Sequence, residues 1–219
     1  MFSRLIWFLL FPAVLHAGIA ASAEQRFPVT QFWKGAWGAW EAKAFKGETA
    51  YAFTFDPDLN LTVLEATSRA AASGRFRRIE VDLVKTPFLN WSWKVTQPVT
   101  GVDENTKAGD DFAARIYVVV ERGPLGLRSL SMNYVWAAQH PVGAAWPSPF
   151  TSNVRLLATD SGTSRLNSWV NHKRNVREDL KQQFGEDIRS IDVVAIMTDT
   201  DNSGQRAHAF YGDIWFSSQ

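Results

Sequence analysis

The sequence contains no cysteine, which excludes disulfide staples, a thiolate nucleophile, a cysteine metal cluster and a lipid-modified N-terminal cysteine. An excess of either charge is also missing: 23 Lys and Arg stand against 22 Asp and Glu, for a formal net charge of +1. That balance leaves neither an electrostatic footprint for nucleic acid nor a dock for an anionic membrane surface. GxSxG elbow, phosphate loop, dinucleotide fingerprint and zinc-protease motif are all absent. Beyond residue 23 no apolar run approaches the roughly 20 residues of a membrane-spanning helix. The one long run, Leu5 to Leu15, follows Arg4 and precedes Ala21-Ser22-Ala23, the order of parts in a secretory signal. Residues 1–23 are therefore expected to be a signal peptide, with an uncleaved N-terminal anchor as the alternative. Residues 24–219 are expected to form a single exported domain, periplasmic or secreted, with no membrane insertion after cleavage.

What the chain has in abundance is aromatic side chains: 10 Trp, 15 Phe and 4 Tyr. Such a composition suits an aromatic-rich β core and, in an exported protein, also a glycan binder. With no staples the chain must fold on its core, and a domain of this size buries about 70% of its unfolded surface. Period-two alternation recurs throughout. Glu48 to Phe55 sets Tyr51, Phe53 and Phe55 on one side, and Asp56-Pro57-Asp58 turns it into a second strand from Leu59 to Thr67. Phe76 to Leu83 alternates Ile79, Val81 and Leu83 with Arg78, Glu80 and Asp82. Phe88 to Val95 places Leu89, Trp91, Trp93 and Val95 on one face, read as core, with an exposed sugar platform as the alternative. Ser129 to Ala137 opposes Leu130, Met132, Tyr134 and Trp136 to Ser131, Asn133 and Val135, and periodicity does not say which side is inside.

Strands are also expected at Asn153 to Thr159, Ile191 to Met197 and Ala207 to Phe216. Near the start, Gly35 and Gly38 interrupt an aromatic run whose Trp33, Trp37 and Trp40 should pack on a sheet edge. One helix is predicted, from Ser168 as cap to Gln183, with Val176, Leu180 and Phe184 in register and Gly185 as terminator. On it, Arg174 and Glu178 would make a surface pair and His172 would be exposed. Short strands, one late helix and no βαβ alternation or repeat predict an all-β fold: an antiparallel β-sandwich of jelly-roll, galactose-binding-like type.

The stretch that organises the reading is Gly109 to Glu121, GDDFAARIYVVVE. Phe112, Ala114, Ile116, Val118 and Val120 fall on one side of an extended element, and Asp111, Ala113, Arg115 and Tyr117 on the other. The polar side must be solvated, paired or used by a ligand. Asp110, Asp111, Arg115 and Asn133 can supply directional hydrogen bonds, and Tyr117, Trp136 or Trp146 a stacking face, which together suit a saccharide. Trp146, in a loop rich in proline, is the tryptophan expected to meet solvent. The structural alternative is that these charges pair between strands. Asp103 and Glu104 lie in the loop leading to this stretch, where function concentrates. Asp199, Asp201 and Asn202 offer oxygen ligands suited to calcium, although the twelve-residue calcium loop is not present; an Asx turn is the alternative. Hydrolysis of a glycosidic bond would need Asp110 or Asp111 to face Asp199 or Asp201.

GDDFAARIYVVVE, NYVWA, the loop holding Pro141, Gly143, Trp146 and Pro147, Phe184-Gly185, IMTDTDNSG and AFYGDIWF together resemble a bacterial exported family named domain of unknown function 3047. The likeness runs in order along nearly all of residues 24–219 and implies an exported bacterial protein with no established activity. The last strands also look like those of carbohydrate-binding jelly rolls. The function expected is a non-catalytic module that binds a saccharide or another envelope component. The alternatives are a glycoside hydrolase using paired aspartates and a structural envelope protein acting through a protein partner.

Overall fold

A computed structural model describes residues 24–219, so the expected signal peptide lies outside the described residues. The strands are β1 Arg26–Pro28, β2 Glu41–Lys46, β3 Ala50–Asp56, β4 Leu61–Arg69, β5 Ala72–Asp82, β6 Phe88–Gln97 and β7 Arg115–Val120. They continue with β8 Leu130–Ala137, β9 Ala145–Ser148, β10 Thr151–Ser161, β11 Val170–Asn175, β12 Ser190–Asp199, β13 Arg206–Tyr211 and β14 Trp215–Ser217. Helix α1 spans Val176–Phe184. Two seven-stranded sheets result. The first runs β1-β14-β6-β13-β4-β3, with β11 on the free side of β6, and the second runs β2-β5-β12-β7-β8-β10-β9. All pairings are antiparallel except β8 with β10, which run parallel. The architecture is the jelly-roll β-sandwich that the strand pattern predicts. Among the described residues no helix is long and apolar enough to cross a membrane.

Alternation decides what fills the space between the sheets. From β6, Leu89, Trp91, Trp93 and Val95 point inward, and from β8 Leu130, Met132, Tyr134 and Trp136 meet them. The Trp91 ring lies 5.2 Å from Tyr134 and the Trp93 ring 6.5 Å from Trp136, joining one sheet to the other through aromatic pairs. The tryptophan pair of β6 is thus core and not a sugar platform. Ile116, Val118 and Val120 of β7 and Ile191, Val194 and Ile196 of β12 belong to the same cluster. Each fully buried aliphatic or phenylalanine side chain here contributes about 1.5–3 kcal/mol.

Several sequence expectations change. The helix begins at Val176, not Ser168: Asn175 caps it by accepting from the Glu178 N–H, and Gly185 ends it in the left-handed conformation at φ 75°. Residues 170–175 are instead drawn into β11 by the free side of β6. His172 is therefore stacked on Trp91 with centroids 4.8 Å apart and bonded through Nε2 to the buried Asp160 at 2.6 Å. Arg174 pairs with Asp179, which also accepts from the Tyr134 hydroxyl at 2.8 Å, and does not pair with Glu178. Trp40 is buried and Trp37 packs against the core, but Trp33 is exposed. Strands β1, β2 and β9 were not legible as strands. β2 alternates weakly and is exposed along its whole length, as an edge strand can be.

Candidate functional site on the outer face of the second sheet

Strand register lays out the outer face of the second sheet in rows. One row reads Phe76, Ala195, Tyr117, Asn133, Leu156 and Trp146 across β5, β12, β7, β8, β10 and β9. The next reads Gly74, Met197, Arg115, Val135 and Ala158. Tyr117, Arg115 and Asn133 are thus brought together because the inward side of β7 and β8 is apolar and period two sends them outward. Gly74 leaves a gap in the row: a Cβ there would stand 2.8 Å from the Ile196 carbonyl oxygen, so the backbones approach too closely for a side chain.

Two adjoining depressions occupy this face. The larger, about 410 Å³, includes Asp110, Arg115, Tyr117, Asn133, Asp199 and Asp201. The smaller, about 260 Å³, shares Phe45, Tyr117 and Met197 with it and continues over Phe76, Val119, Val193 and Ala195. At its rim Arg78 and Glu121 form an ion pair at 2.5 Å. Two phenylalanines flank the larger depression and are strongly exposed, Phe45 at 63% and Phe150 at 53%. Neither was singled out from the sequence. The signal available was an apolar ring set among charges in EAKAFK and at the end of the proline-rich loop.

The polar floor is tightly organised. Arg115 is buried, with Nη2 3.5 Å from Asp110 Oδ1 and Nη1 3.5 Å from Asp199 Oδ2, and its guanidinium lies 4.8 Å from the ring centroids of both Phe112 and Tyr117. With its amide turned to satisfy both ends, Asn133 accepts from Arg115 Nη2 at 3.1 Å and donates to the Met132 carbonyl at 3.3 Å. The Tyr117 hydroxyl donates to Met197 Sδ at 3.2 Å. Asp199 is pushed well above the ordinary carboxylate range by burial, and the Asp111 and Asp110 carboxylates add to the shift against the pull of Arg115. Asp201 is raised by its own partial burial and by Asp111.

Other expected site residues do different work. β7 begins only at Arg115, and residues 110–114 run beside the end of β12, where the Thr198 hydroxyl donates to the Ala113 carbonyl at 2.8 Å. Phe112 therefore leaves the side of Ile116 and Val118 and packs with Val135, Ala137, Trp146, Leu156 and Ala158 in a small second core on the outer face. Trp146 is 6% exposed within that core and stacks on His140 at 3.9 Å, so the tryptophan expected at the surface is covered. Trp136 faces the main core and its indole donates to the Gly162 carbonyl at 2.9 Å, which removes it from any ligand face. Asp111 anchors a turn, accepting from the Asn202 N–H at 3.2 Å and the Ser203 N–H at 2.6 Å. Glu104 likewise clamps the backbone N–H groups of Ala138, Gln139 and His140.

Of the three residues expected to ligate calcium, Asp199 and Asp201 come together, but the Asn202 amide nitrogen is turned onto Asp111 Oδ1 at 3.2 Å. Asp111 takes its place: one carboxylate oxygen from each of Asp111, Asp199 and Asp201 lies within 4.8 Å of the others.

Comparison with known proteins places these features in context. No curated protein matches the sequence. Among solved structures, a thermostable cellulase derived from the Cel12A cellulase of Rhodothermus marinus aligns with a TM-score of 0.47 at 11% identity, over 89% of this chain and 100% of that one. The family 11 carbohydrate-binding module of a cellulosomal cellulase of Clostridium thermocellum aligns with a TM-score of 0.45 at 9% identity, over 90% and 95% of the two chains. Winged bean acidic lectin, complexed with methyl-α-D-galactose, gives 0.43 at 12% identity, over 89% and 98%. At these scores the likenesses carry no argument about what the chain does. The family model described as protein of unknown function (DUF3047) matches residues 38–215, and the chain belongs to that family.

Proposed function

We propose that this protein is an exported, non-catalytic module that binds a saccharide along the outer face of its second sheet. The observation that carries the reading is the larger depression, where buried Arg115, Asp110 and Asn133 form a polar floor between the exposed rings of Phe45 and Phe150. A sugar offers hydroxyls to such a floor and apolar ring faces to such flanks. The groups on the floor are held rigidly by one another, so little ordering is needed on binding. The smaller depression lengthens the groove past Tyr117, which suits a chain of sugars over a single ring.

Binding to a panel of bacterial envelope polysaccharides and their oligosaccharides, measured by calorimetry, tests this. Phe45→Ala and Phe150→Ala, both at the surface, are expected to weaken binding about tenfold each, from a loss of roughly 1.4 kcal/mol, and to leave the melting temperature within a degree or two. Unchanged affinity in both variants would remove the saccharide from this face. Arg115→Ala does not make so clean a test, because Arg115 is buried among carboxylates. Removing it is expected to cost about 3–5 kcal/mol of stability.

A further inference from the structure

A third depression, about 230 Å³, opens between the edge strands β2 and β3 and shares Lys43, Gly74 and Arg75 with the smaller depression of the groove. Arg75 stands opposite the core residue Ile196 in the β5–β12 ladder, so its side chain leaves β5 on the inward side, at the open edge of the sandwich. It is half-buried. Its guanidinium lies 4.4 Å from the ring centroid of Trp37 and 5.9 Å from that of Tyr51. Rings hold a guanidinium by its face and leave the N–H donors along its edge uncommitted. The other two arginines of this strand are satisfied, Arg77 by the Val29 carbonyl at 2.6 Å and Arg78 by Glu121. Among the described residues Arg75 has the two rings and takes no part in an ion pair or side-chain hydrogen bond. Lys43, exposed on the wall common to both depressions, places Nζ 5.2 Å from the Phe45 ring centroid and likewise pairs with no acid among the described residues. Glu48 also lines the cleft, is exposed, and pairs with neither cation. The buried Ser73 hydroxyl accepts from the Thr49 N–H at 2.8 Å, which leaves its proton for an acceptor in the cleft.

We propose that the groove selects an acidic saccharide, and that a sugar carboxylate enters the cleft between β2 and β3, where Arg75 and Lys43 hold it. This rests on the saccharide reading of the groove and names the class of saccharide. A carboxylate is the acceptor that the edge of a ring-stacked guanidinium fits, because two parallel N–H donors meet its two oxygens in a charge-assisted pair. Half-burial strengthens such a pair relative to one in open water. Lys43 supplies a second positive charge from the rim, and Phe45, two residues along the same side of β2, offers its ring to the neighbouring part of the chain. The far end of the groove has the opposite character. Asp110, Asp199 and Asp201 line it, with Arg115 between Asp110 and Asp199, so a sugar acid is repelled there and hydroxyls are accepted. The two ends together fix the register of the chain: its acidic sugar lies at the edge beside β2, and neutral sugars lie over the polar floor.

The test is calorimetric titration with uronic-acid polysaccharides, polygalacturonate, alginate and glucuronate polymers, each beside its carboxyl-reduced neutral form. At least one acidic polymer is expected to bind about tenfold or more tightly than its reduced counterpart, with a preference that shrinks as salt is raised. Arg75→Gln should abolish that preference while leaving the affinity for the neutral form within about twofold. Lys43→Gln, at an exposed position that folding does not depend on, should reduce the preference and keeps the test open if Arg75→Gln proves unstable. Equal affinity for acidic and reduced forms, or a preference untouched by both substitutions, would overturn the acidic ligand. If neutral saccharides bind and Phe45→Ala weakens them while no acidic preference is seen, the groove reading stands and this inference alone falls. Failure of every polymer, acidic and neutral, would remove both.

Discussion

Lys94 and Asp56 illustrate how single residues carry this fold. Lys94 lies on β6 and reaches Asp56 at the end of β3, both nearly sealed from solvent, while Asp56 also accepts from the Trp169 indole at 3.1 Å and the Leu59 N–H at 3.1 Å. Burial alone would raise the Asp56 carboxyl, but the hydrogen bonds from Lys94 and Trp169 outweigh it and hold the group below its ordinary value. Lys94→Ala is expected to cost about 3 kcal/mol in denaturant unfolding at neutral pH, since it leaves a buried carboxylate without its counter-charge. The sign of the pH effect follows from the same shift. A carboxyl lowered in the folded state contributes stability above its unfolded pKa, near 3.9, and loses it as pH falls through the folded value. Wild type should therefore lose stability steeply below about pH 4, and Lys94→Ala less steeply, as acid unfolding curves will show. The alternation of β6 was legible, but Lys94 as a buried partner was not, because Asp56 reads locally as a turn residue.

At the scale of elements, the boundaries were decided by partners. The helix terminator at Gly185 and the register of Val176 and Leu180 were readable, whereas residues 170–175 became a strand because β6 has a free side and Trp91 offers a ring for His172. Asn175→Ala should remove the bond to the Glu178 N–H and cost about 1 kcal/mol, read by chemical denaturation. The approach of β5 to β12 is tighter still. Gly74→Ala would place a methyl group 2.8 Å from the Ile196 oxygen, so a loss of about 1–3 kcal/mol is expected together with a change in the groove floor. If Gly74→Ala proves neutral in unfolding experiments, the close packing of those strands is not what fixes the glycine.

For the whole molecule, one continuous apolar cluster joins both sheets, and α1 docks on it through Val176 and Leu180. A chain beginning at Glu24 is therefore expected to unfold in a single transition, with tryptophan fluorescence and near-ultraviolet circular dichroism changing together. Two separated transitions would mean that the sheets fold as independent units. The candidate site belongs to this scale as well. Asp110 and Asp199 are close because β7 and β12 are neighbours in the sheet, although nearly ninety positions separate them in sequence.

The all-β class, the inward faces of β6 and β7 and the polar character of Arg115, Tyr117 and Asn133 were determined by local sequence, because side-chain alternation is a property of the strand itself. Which tryptophans meet solvent was decided only by tertiary structure: Trp146 is covered by Phe112 and His140, and the exposed rings of the groove are Phe45 and Phe150 instead. The replacement of Asn202 by Asp111 beside Asp199 and Asp201 was decided there too. Exposure and ligand grouping depend on what distant segments place overhead, and no periodicity in a single strand encodes that.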